Sequence, residues 1–310
     1  MTAPLKLTHL RYLVAVVKAG TVRQASRELN LSQSSLTKSI QQLEECVGAE
    51  LLHRTRTGIS ATLAGRALIS RAMSIETELR EARNDIDSIL GMGSGEIRIA
   101  ASPTAATSFL PRAVLSFKKS RPKVTVELSE AIYPDVLQAV RKGDIDFAVC
   151  LIPDWIDDET ISSEILLRDR VVPTVRKGHP LEGKRLTATE LQRADWATYR
   201  RGRSGRDIFE QTFVAAGMDP PRSTIECSSF ACLFALVEQG DYLTLLPKKL
   251  LSGTAVSRSL SPLALEFSMP EWNVAVLYRA QHEMSPVSAA FLEELRGVAR
   301  QIIAGGQARG

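Results

Sequence analysis

From Leu68 to Ile89 the apolar residues Leu68, Ala72, Ile75, Leu79, Ala82, Ile86 and Ile89 follow one another in alternating steps of four and three. This is a heptad seam of about three repeats, flanked by Arg71, Glu76, Glu78, Arg80, Glu81 and Arg83. A helix with such a seam packs on its own domain or pairs with a second copy of itself. It also separates a short N-terminal module from a long body, and the two differ in charge. Residues 1–65 carry eight Lys and Arg against four acids, so the whole formal net charge of +4 lies in the first fifth of the chain. A basic module on a neutral body points to one part that meets a polyanion and another with a different task.

Within the module, Leu7, Leu10, Leu13, Val14 and Val17 mark one face of a first helix, stopped by Gly20. Val22, Ala25, Ser26 and Leu29 mark a second, closed by Asn30, a residue that tolerates left-handed backbone. Ser32 stands where an N-cap belongs, ahead of a third helix in the run SQSSLTKSIQQLEECVG at 32–48. Leu36, Ile40 and Leu43 face a core; the opposite stripe is Gln33, Ser34, Thr37, Lys38 and Gln41, with no acid until Glu45. Two short helices joined by a tight turn, the second with a hydrogen-bonding outer face, make a helix-turn-helix. Gln33 can pair with adenine in the major groove, and Ser34 and Thr37 can reach phosphates, base acceptors or a thymine methyl. Lys38 supplies charge toward phosphate or guanine, while Glu44 and Glu45 fall at the far end of the helix.

The next run, LLHRTRTGISATLAGR at 51–66, predicts a strand, a basic turn at Arg54, Arg56 and Gly58, a second strand, and a helix capped by Thr62. That is a wing, whose arginines can lie along the DNA backbone or minor groove. Directly after it, the heptad helix is expected to act as a dimerising linker, so that two modules read a two-fold symmetric site.

GMGSG at 91–95 predicts a flexible hinge. It precedes a strand, whereas a dinucleotide-binding loop follows one, so it marks no nucleotide cofactor. Strand-like runs follow at 96–102, 123–129, 144–150, 170–175, 242–247 and 273–278, with helical stretches near 108–120, 134–142, 205–216, 231–239 and 286–303. Apolar strands this continuous, alternating with helices, predict mainly parallel sheets covered on both faces, with ligands at the strands' carboxyl ends.

Other classes are disfavoured. No apolar run approaches the ~18 residues that cross a bilayer, and the opening MTAPLKLTHLRYL lacks the zones of a signal peptide, so no membrane partner and a cytoplasmic location are expected. Cys46, Cys150, Cys227 and Cys232 are scattered, with neither CxxC spacing nor a histidine cluster, which argues against a disulfide framework and a metal site. GRSG at 202–205 is not a nucleophile elbow, and His9, His53, His179 and His282 sit in unrelated segments. The chain is therefore expected not to be an enzyme. The competing readings are an enzyme fused to a DNA-binding domain, which turnover would expose, and an architectural DNA-bending protein, which would not need so large a body.

Over nearly its whole length the chain resembles a LysR-type transcriptional regulator. The matching residues are QASRELNLSQSSLTKSIQQLEECVGAELLHRTRTGISATLAG in the helix-turn-helix and wing, then RPKVTVELSE, RKGDIDFAV and GDYLTLLP in the body. Ser34 departs from the family's usual proline, Thr37 from a frequent serine and Leu52 from a frequent phenylalanine. The resemblance implies an all-α winged helix-turn-helix domain (1–65), a linker helix (66–90), a hinge (91–95) and an α/β effector-binding domain (96–310). That domain would consist of two Rossmann-like subdomains, as in periplasmic binding proteins. One lobe would span about 96–170 and 270–303, the other about 171–269.

A dimer or tetramer on an interrupted inverted repeat near a promoter is implied. Its partners would be double-stranded DNA, a small-molecule effector, further copies of itself and RNA polymerase, with no cofactor and no metal. Carried over position by position, the effector residues are Ser102, Pro103 and Thr104; Tyr133; Arg203, Ser204 and Gly205; and Cys227, Ser228, Ser229 and Phe230. Hydroxyls, amides, one arginine and aromatic walls suit a small aromatic or other organic acid of a catabolic pathway.

Overall fold

The computed structural model describes residues 5–55, 58–153, 156–200, 204–251, 256–280 and 283–307. The chain divides into two compact units, Met1–Arg83 with Lys142–Asp144, and Asn84–Arg141 with Ile145–Gly310.

The first unit opens with α1 (Leu7–Ala19), α2 (Val22–Glu28) and α3 (Gln33–Val47). Gly20 ends α1 in left-handed backbone, and Asn30 adopts a φ of 53°, as its residue type allows. The hydroxyls of Thr21 and Ser32 cap α2 and α3 by accepting from the amides of Gln24 and Ser35. Leu10, Leu13, Val16, Ala25, Leu36, Ile40, Leu43 and Leu51 close the core. Val16, not Val17, is the residue of α1's last turn that is fully enclosed. The wing is β1 (Leu52–Thr55) paired antiparallel with β2 (Gly58–Ala61), so the helical module carries one two-stranded sheet.

Then comes α4 (Leu63–Ile89), whose first turn is held by Thr62 Oγ1 accepting from the Gly65 amide. Its seam divides in two. Ala72 is buried in the module's core and Leu68 packs against it, whereas Ile75, Leu79, Ala82, Ile86 and Ile89 are exposed, Ile89 by 83%. The helix ends in a Schellman cap: the Gly91 amide donates to Ser88 and the Met92 amide to Asp87, with Gly91 at a φ of 64°. Buried Asn84 clamps the chain beyond, donating to the Glu96 carbonyl at 2.8 Å and accepting its amide at 3.0 Å. The glycines at 91–95 thus supply left-handed turns within a hydrogen-bonded segment, rather than the loose linker that their composition predicts.

In the second unit the elements are β3 (Gly95–Ala101), α5 (Pro103–Ser108), α6 (Leu110–Ser120), β4 (Val124–Glu130), α7 (Val136–Lys142), β5 (Phe147–Ile152) and the long β6 (Ile161–Arg176). Next are β7 (Arg185–Leu186), α8 (Ala188–Arg193), β8 (Trp196–Tyr199), α9 (Ser204–Ala215), β9 (Ser223–Cys227), α10 (Phe230–Gln239), β10 (Thr244–Pro247), α11 (Lys248–Leu251) and α12 (Val256–Ser259). The chain finishes with β11 (Leu260–Pro262), β12 (Ala264–Leu265), β13 (Glu271–Arg279) and α13 (Pro286–Gln307).

The main sheet runs β10-β6-β13-β5-β3-β4, with β11 also on β6. The main sheet is mixed, which corrects the expectation of mainly parallel ones. Among the described strand pairs of this unit, β3–β4, β3–β5, β7–β12 and β8–β9 are parallel, whereas β13 is antiparallel to both β5 and β6, and β10 and β11 are antiparallel to β6. The cause is topological. β6 carries the chain out of one packed region and β13 carries it back, and two neighbouring strands that do this must run in opposite directions.

Alternate residues of a strand face opposite sides of its sheet. On one side of β5, Phe147, Val149 and Leu151 join Phe117 and Phe291, whose rings meet edge-on at 5.3 Å. On the other, Ala148, Cys150 and Ile152 join Val136, Val140 and Leu277. Beyond β6 a separate core forms around Trp196, Phe209 and Phe213, and a further one around Ala197, Leu233, Val237 and Leu246.

Candidate functional site

The outer face of α3 carries the expected stripe. Gln33, Ser34, Lys38 and Gln41 are exposed and Thr37 is half-buried, while Leu36, Ile40 and Leu43 are enclosed behind them. The cap organises the start of this face: Ser32 Oγ lies 2.8 Å from Ser35 Oγ and 3.0 Å from Ser34 Oγ. Ser34 is therefore already hydrogen-bonded within the cap. Arg54 falls within β1 opposite Ile59 rather than in the turn, and Arg56 lies outside the described residues. Glu44, read from sequence only as lying far from the groove, has a role. Its Oε1 accepts from the amides of Leu51 and Leu52 at 2.8 and 3.3 Å, fixing where the wing leaves the helix.

In the second unit two cavities share one wall. The outer one, about 1060 Å³, is lined by Pro103, Thr107, Glu130, Ile132, Asp135, Tyr199, Ser228, Ser229, Phe230, Phe234 and Glu238 among others. The inner one, about 70 Å³, is lined by Ser102, Pro103, Thr104, Thr198, Tyr199, Gly205, Phe230, Thr244 and a set of apolar side chains. Ser102, Pro103, Thr104, Gly205, Ser228 and Phe230 therefore come together, from segments as much as a hundred residues and more apart in sequence.

Four other expected effector residues do not join them in this way. Arg203 lies outside the described residues, and Ser204 is described only as the first residue of α9. Tyr133 packs against the core around Cys150 and lines neither cavity. Its phenol is raised above its ordinary pKa by burial and by the neighbouring Cys150, whose own thiol burial pushes up to about 12. Cys227 also lines neither cavity; it stands at the rim, one residue before Ser228.

Sequence reasoning missed Tyr199, which lines both cavities from the carboxyl end of β8. Burial above all, then the nearby Glu130 and Cys227, raises its phenol well above the ordinary range, so the hydroxyl stays protonated and can donate. Gly205 has a specific task here: a Cβ at that position would collide with the Tyr199 ring. The signal that could have found Tyr199 is WATY read as a strand, since ligands gather at strand ends. The two cavities also differ in charge. Glu130, Asp135 and Glu238 line the outer one, whereas no described residue lining the inner one is charged.

A DNA-reading helix with its wing, joined to an α/β body that encloses a ligand-sized cavity, defines a class: the ligand-responsive regulators of transcription. The particular family follows from the comparisons. Residues 7–66 match the family described as bacterial regulatory helix-turn-helix protein, lysR family, and residues 91–300 match the LysR substrate binding domain. The chain belongs to the LysR family of transcriptional regulators.

Among its relatives, the HTH-type transcriptional regulator GbpR of Azospirillum brasilense is 27% identical over 96% of this chain and 87% of that protein. The HTH-type transcriptional regulator GalR of Pseudomonas putida is 28% identical, over 95% and 75%. The SDS degradation transcriptional activation protein of a Pseudomonas species is 29% identical, over 92% and 93%. In fold the chain is similar to CbnR, a LysR family transcriptional regulator, with a TM-score of 0.69 at 21% identity, covering 95% of this chain and 99% of that one. CbnR has also been solved with its target DNA. The relatives are regulators, and so is this chain: a DNA-binding protein that takes a small-molecule effector, not an enzyme. Among the described residues, no helix is long and apolar enough to cross a membrane.

Proposed function

We propose that the protein reads an inverted-repeat operator through Gln33, Ser34, Thr37, Lys38 and Gln41, with Arg54 and Arg56 of the wing on the backbone. The observation that carries this reading is the acid-free, exposed stripe of α3 backed by a closed core. Ile75, Leu79, Ala82, Ile86 and Ile89 are the seam through which a second copy pairs, since so long an apolar row left in water is costly. The pairing sets two recognition helices for half-sites about one helical turn apart. Tetramer formation and contact with RNA polymerase in the cytoplasm belong to the same reading. So do the domain limits 1–65, 66–90, 91–95 and 96–310, with the lobes parting near 170 and 270.

The effector is a small aromatic or other organic acid. Support comes from the contrast between the cavities. A carboxylate suits the uncharged inner one, where Ser102, Thr104, Thr244 and the protonated Tyr199 offer hydroxyls. The three carboxylates of the outer cavity repel a second acid group, so the far end of the ligand is neutral or amine-bearing.

The DNA half is tested by selecting a binding site from randomised duplexes with the full chain, then titrating it against salt. Lys38→Ala and Arg54→Ala should each lower the slope of log K against log salt by about 1, because each removes one phosphate-reaching charge. Slopes that match the parent in both variants would remove the proposed face.

A further inference from the structure

Two cavities that share a wall can hold one molecule, and their sizes dictate how it is built. Pro103, Ile132, Tyr199 and Phe230 line both, so a molecule that occupies both passes between these side chains. The inner cavity, about 70 Å³, is less than half of the roughly 150 Å³ of an apolar cavity that takes up one benzene. A ring, or a branched carbon frame of similar bulk, therefore stays outside it. The outer cavity, about 1060 Å³, has ample room for such a body and sets it against Phe230 and Phe234. Charge sorts the two ends. Glu130, Asp135 and Glu238 of the outer cavity repel an anion, while Ser102, Thr104 and Thr244 bring hydroxyls to the inner one. Tyr199 sets how narrow the passage is. Its ring lies so close to Gly205, the second residue of α9, that a Cβ there would come within 2.8 Å of ring atoms Cγ and Cε2. A methyl group at position 205 would drive the ring off the helix and toward the cavities that it lines.

We propose that the effector carries its carboxylate at the end of a slender, unbranched arm, and that Tyr199 and Gly205 are the residues that select for the arm. The proposal rests on the reading of the inner cavity as the carboxylate's site. The shared wall is at least one side chain thick, and carbon atoms in contact lie about 3.5–4.0 Å apart. The single bond that joins a carboxylate to a ring is only about 1.5 Å long, too short to cross that wall. Two or more methylene groups do cross it, and on the way they meet the apolar surfaces of Pro103, Ile132 and Phe230 and the Tyr199 ring. Acids with the carboxylate directly on a ring, or on a fully branched carbon, are shut out.

The test is calorimetry of the full chain with two pairs of isomers: hydrocinnamate against para-ethylbenzoate, and hexanoate against α,α-dimethylbutanoate. Within each pair the atoms and the charge are the same, so only the placement of the carboxylate differs. Hydrocinnamate or hexanoate should bind about tenfold more tightly than its isomer, the worth of roughly two buried methylene groups. Tyr199→Ala, which opens the wall, should bring the pair close to parity, and Gly205→Ala should weaken the arm-bearing acid most. A merely structural role for Tyr199 would weaken both isomers alike and keep their ratio. The proposal is overturned if the parent chain binds the isomers equally or prefers the armless one, or if Tyr199→Ala keeps the full ratio. It also falls if none of the four binds while another carboxylate does; if no carboxylate binds at all, the acid reading beneath it falls as well. The parent chain's ratio decides by itself, so poor folding of a variant does not protect the proposal.

Discussion

The recognition module and the effector body put function in opposite places. In the module it lies on a surface, within one helix and the strands that follow it, and the core merely holds that surface in place. In the body the proposed site is an interior, lined by residues from Ser102 to Pro247 that only the fold brings together. A surface stripe tolerates change at a position without cost to folding, whereas a cavity wall belongs in part to the core. Leu36 and Lys38, two residues apart on α3, show the first case: one is fully enclosed, the other exposed.

The largest expected effect sharpens that contrast. Leu36→Ala should cost roughly 2–5 kcal/mol, measured by thermal or denaturant unfolding of the full chain, and should abolish operator binding by unfolding the module. Lys38→Ala should leave stability within about 0.5 kcal/mol while weakening DNA binding and lowering its salt dependence. Equal stability losses in the two would break the distinction between a core face and a reading face.

Smaller effects probe the body. Ser102 is buried, its amide donates to the Val149 carbonyl, and among the described residues its hydroxyl has only Thr104, at 3.4 Å, which leaves it able to serve a ligand. Ser102→Ala should weaken effector binding by roughly 0.5–1.5 kcal/mol in calorimetry and leave operator affinity in the absence of effector unchanged. A change in operator affinity without effector would mean that Ser102 acts through the fold rather than through the ligand.

The smallest effect concerns a joint remote from both sites. Arg296 of α13 grips Glu164 of β6 through two nitrogens, at 2.8 and 2.6 Å. Side-chain hydrogen bonds from Arg296 hold the Glu164 carboxyl below its ordinary range. A carboxylate lowered by folding adds stability above its unfolded value of about 4.3, and this is lost as pH falls through the folded value. Glu164→Gln should therefore cost on the order of 1 kcal/mol at neutral pH, and the gap from the parent should close in acid. A gap that persists at low pH would mean that shape, not charge, holds this joint.

How much of this was legible in the sequence follows the same division. The caps at Ser32 and Thr62, the enclosed row Leu36–Ile40–Leu43 and the stripe opposite are local patterns with a helical period, and a period survives folding unchanged. Strands with continuous apolar runs were also readable: the run at 144–150 overlaps β5 (Phe147–Ile152), and that at 273–278 lies within β13. The first half of β6 was not. Its polar residues alternate with buried ones, and an expectation of continuous apolar runs passes over ISSEILLRD. With that half and β8 unseen, the antiparallel return of β13 and the position of Tyr199 had no local signature. The glycines at 91–95 misled for the opposite reason. Composition gives a glycine's freedom, but only the fold shows that Gly91 spends it on a helix cap.

The proposed separation of a surface that reads DNA from an interior that reads an acid is tested most directly by the melting temperature of the full chain against graded concentrations of aromatic and aliphatic carboxylates. A ligand confined to the native state raises that temperature with its concentration. At least one monocarboxylate should do so in the parent chain. Tyr199→Phe, which removes only the hydroxyl, should sharply reduce the shift while the melting temperature without ligand stays close to the parent's. An equal shift in parent and variant would place the acid somewhere other than this cavity.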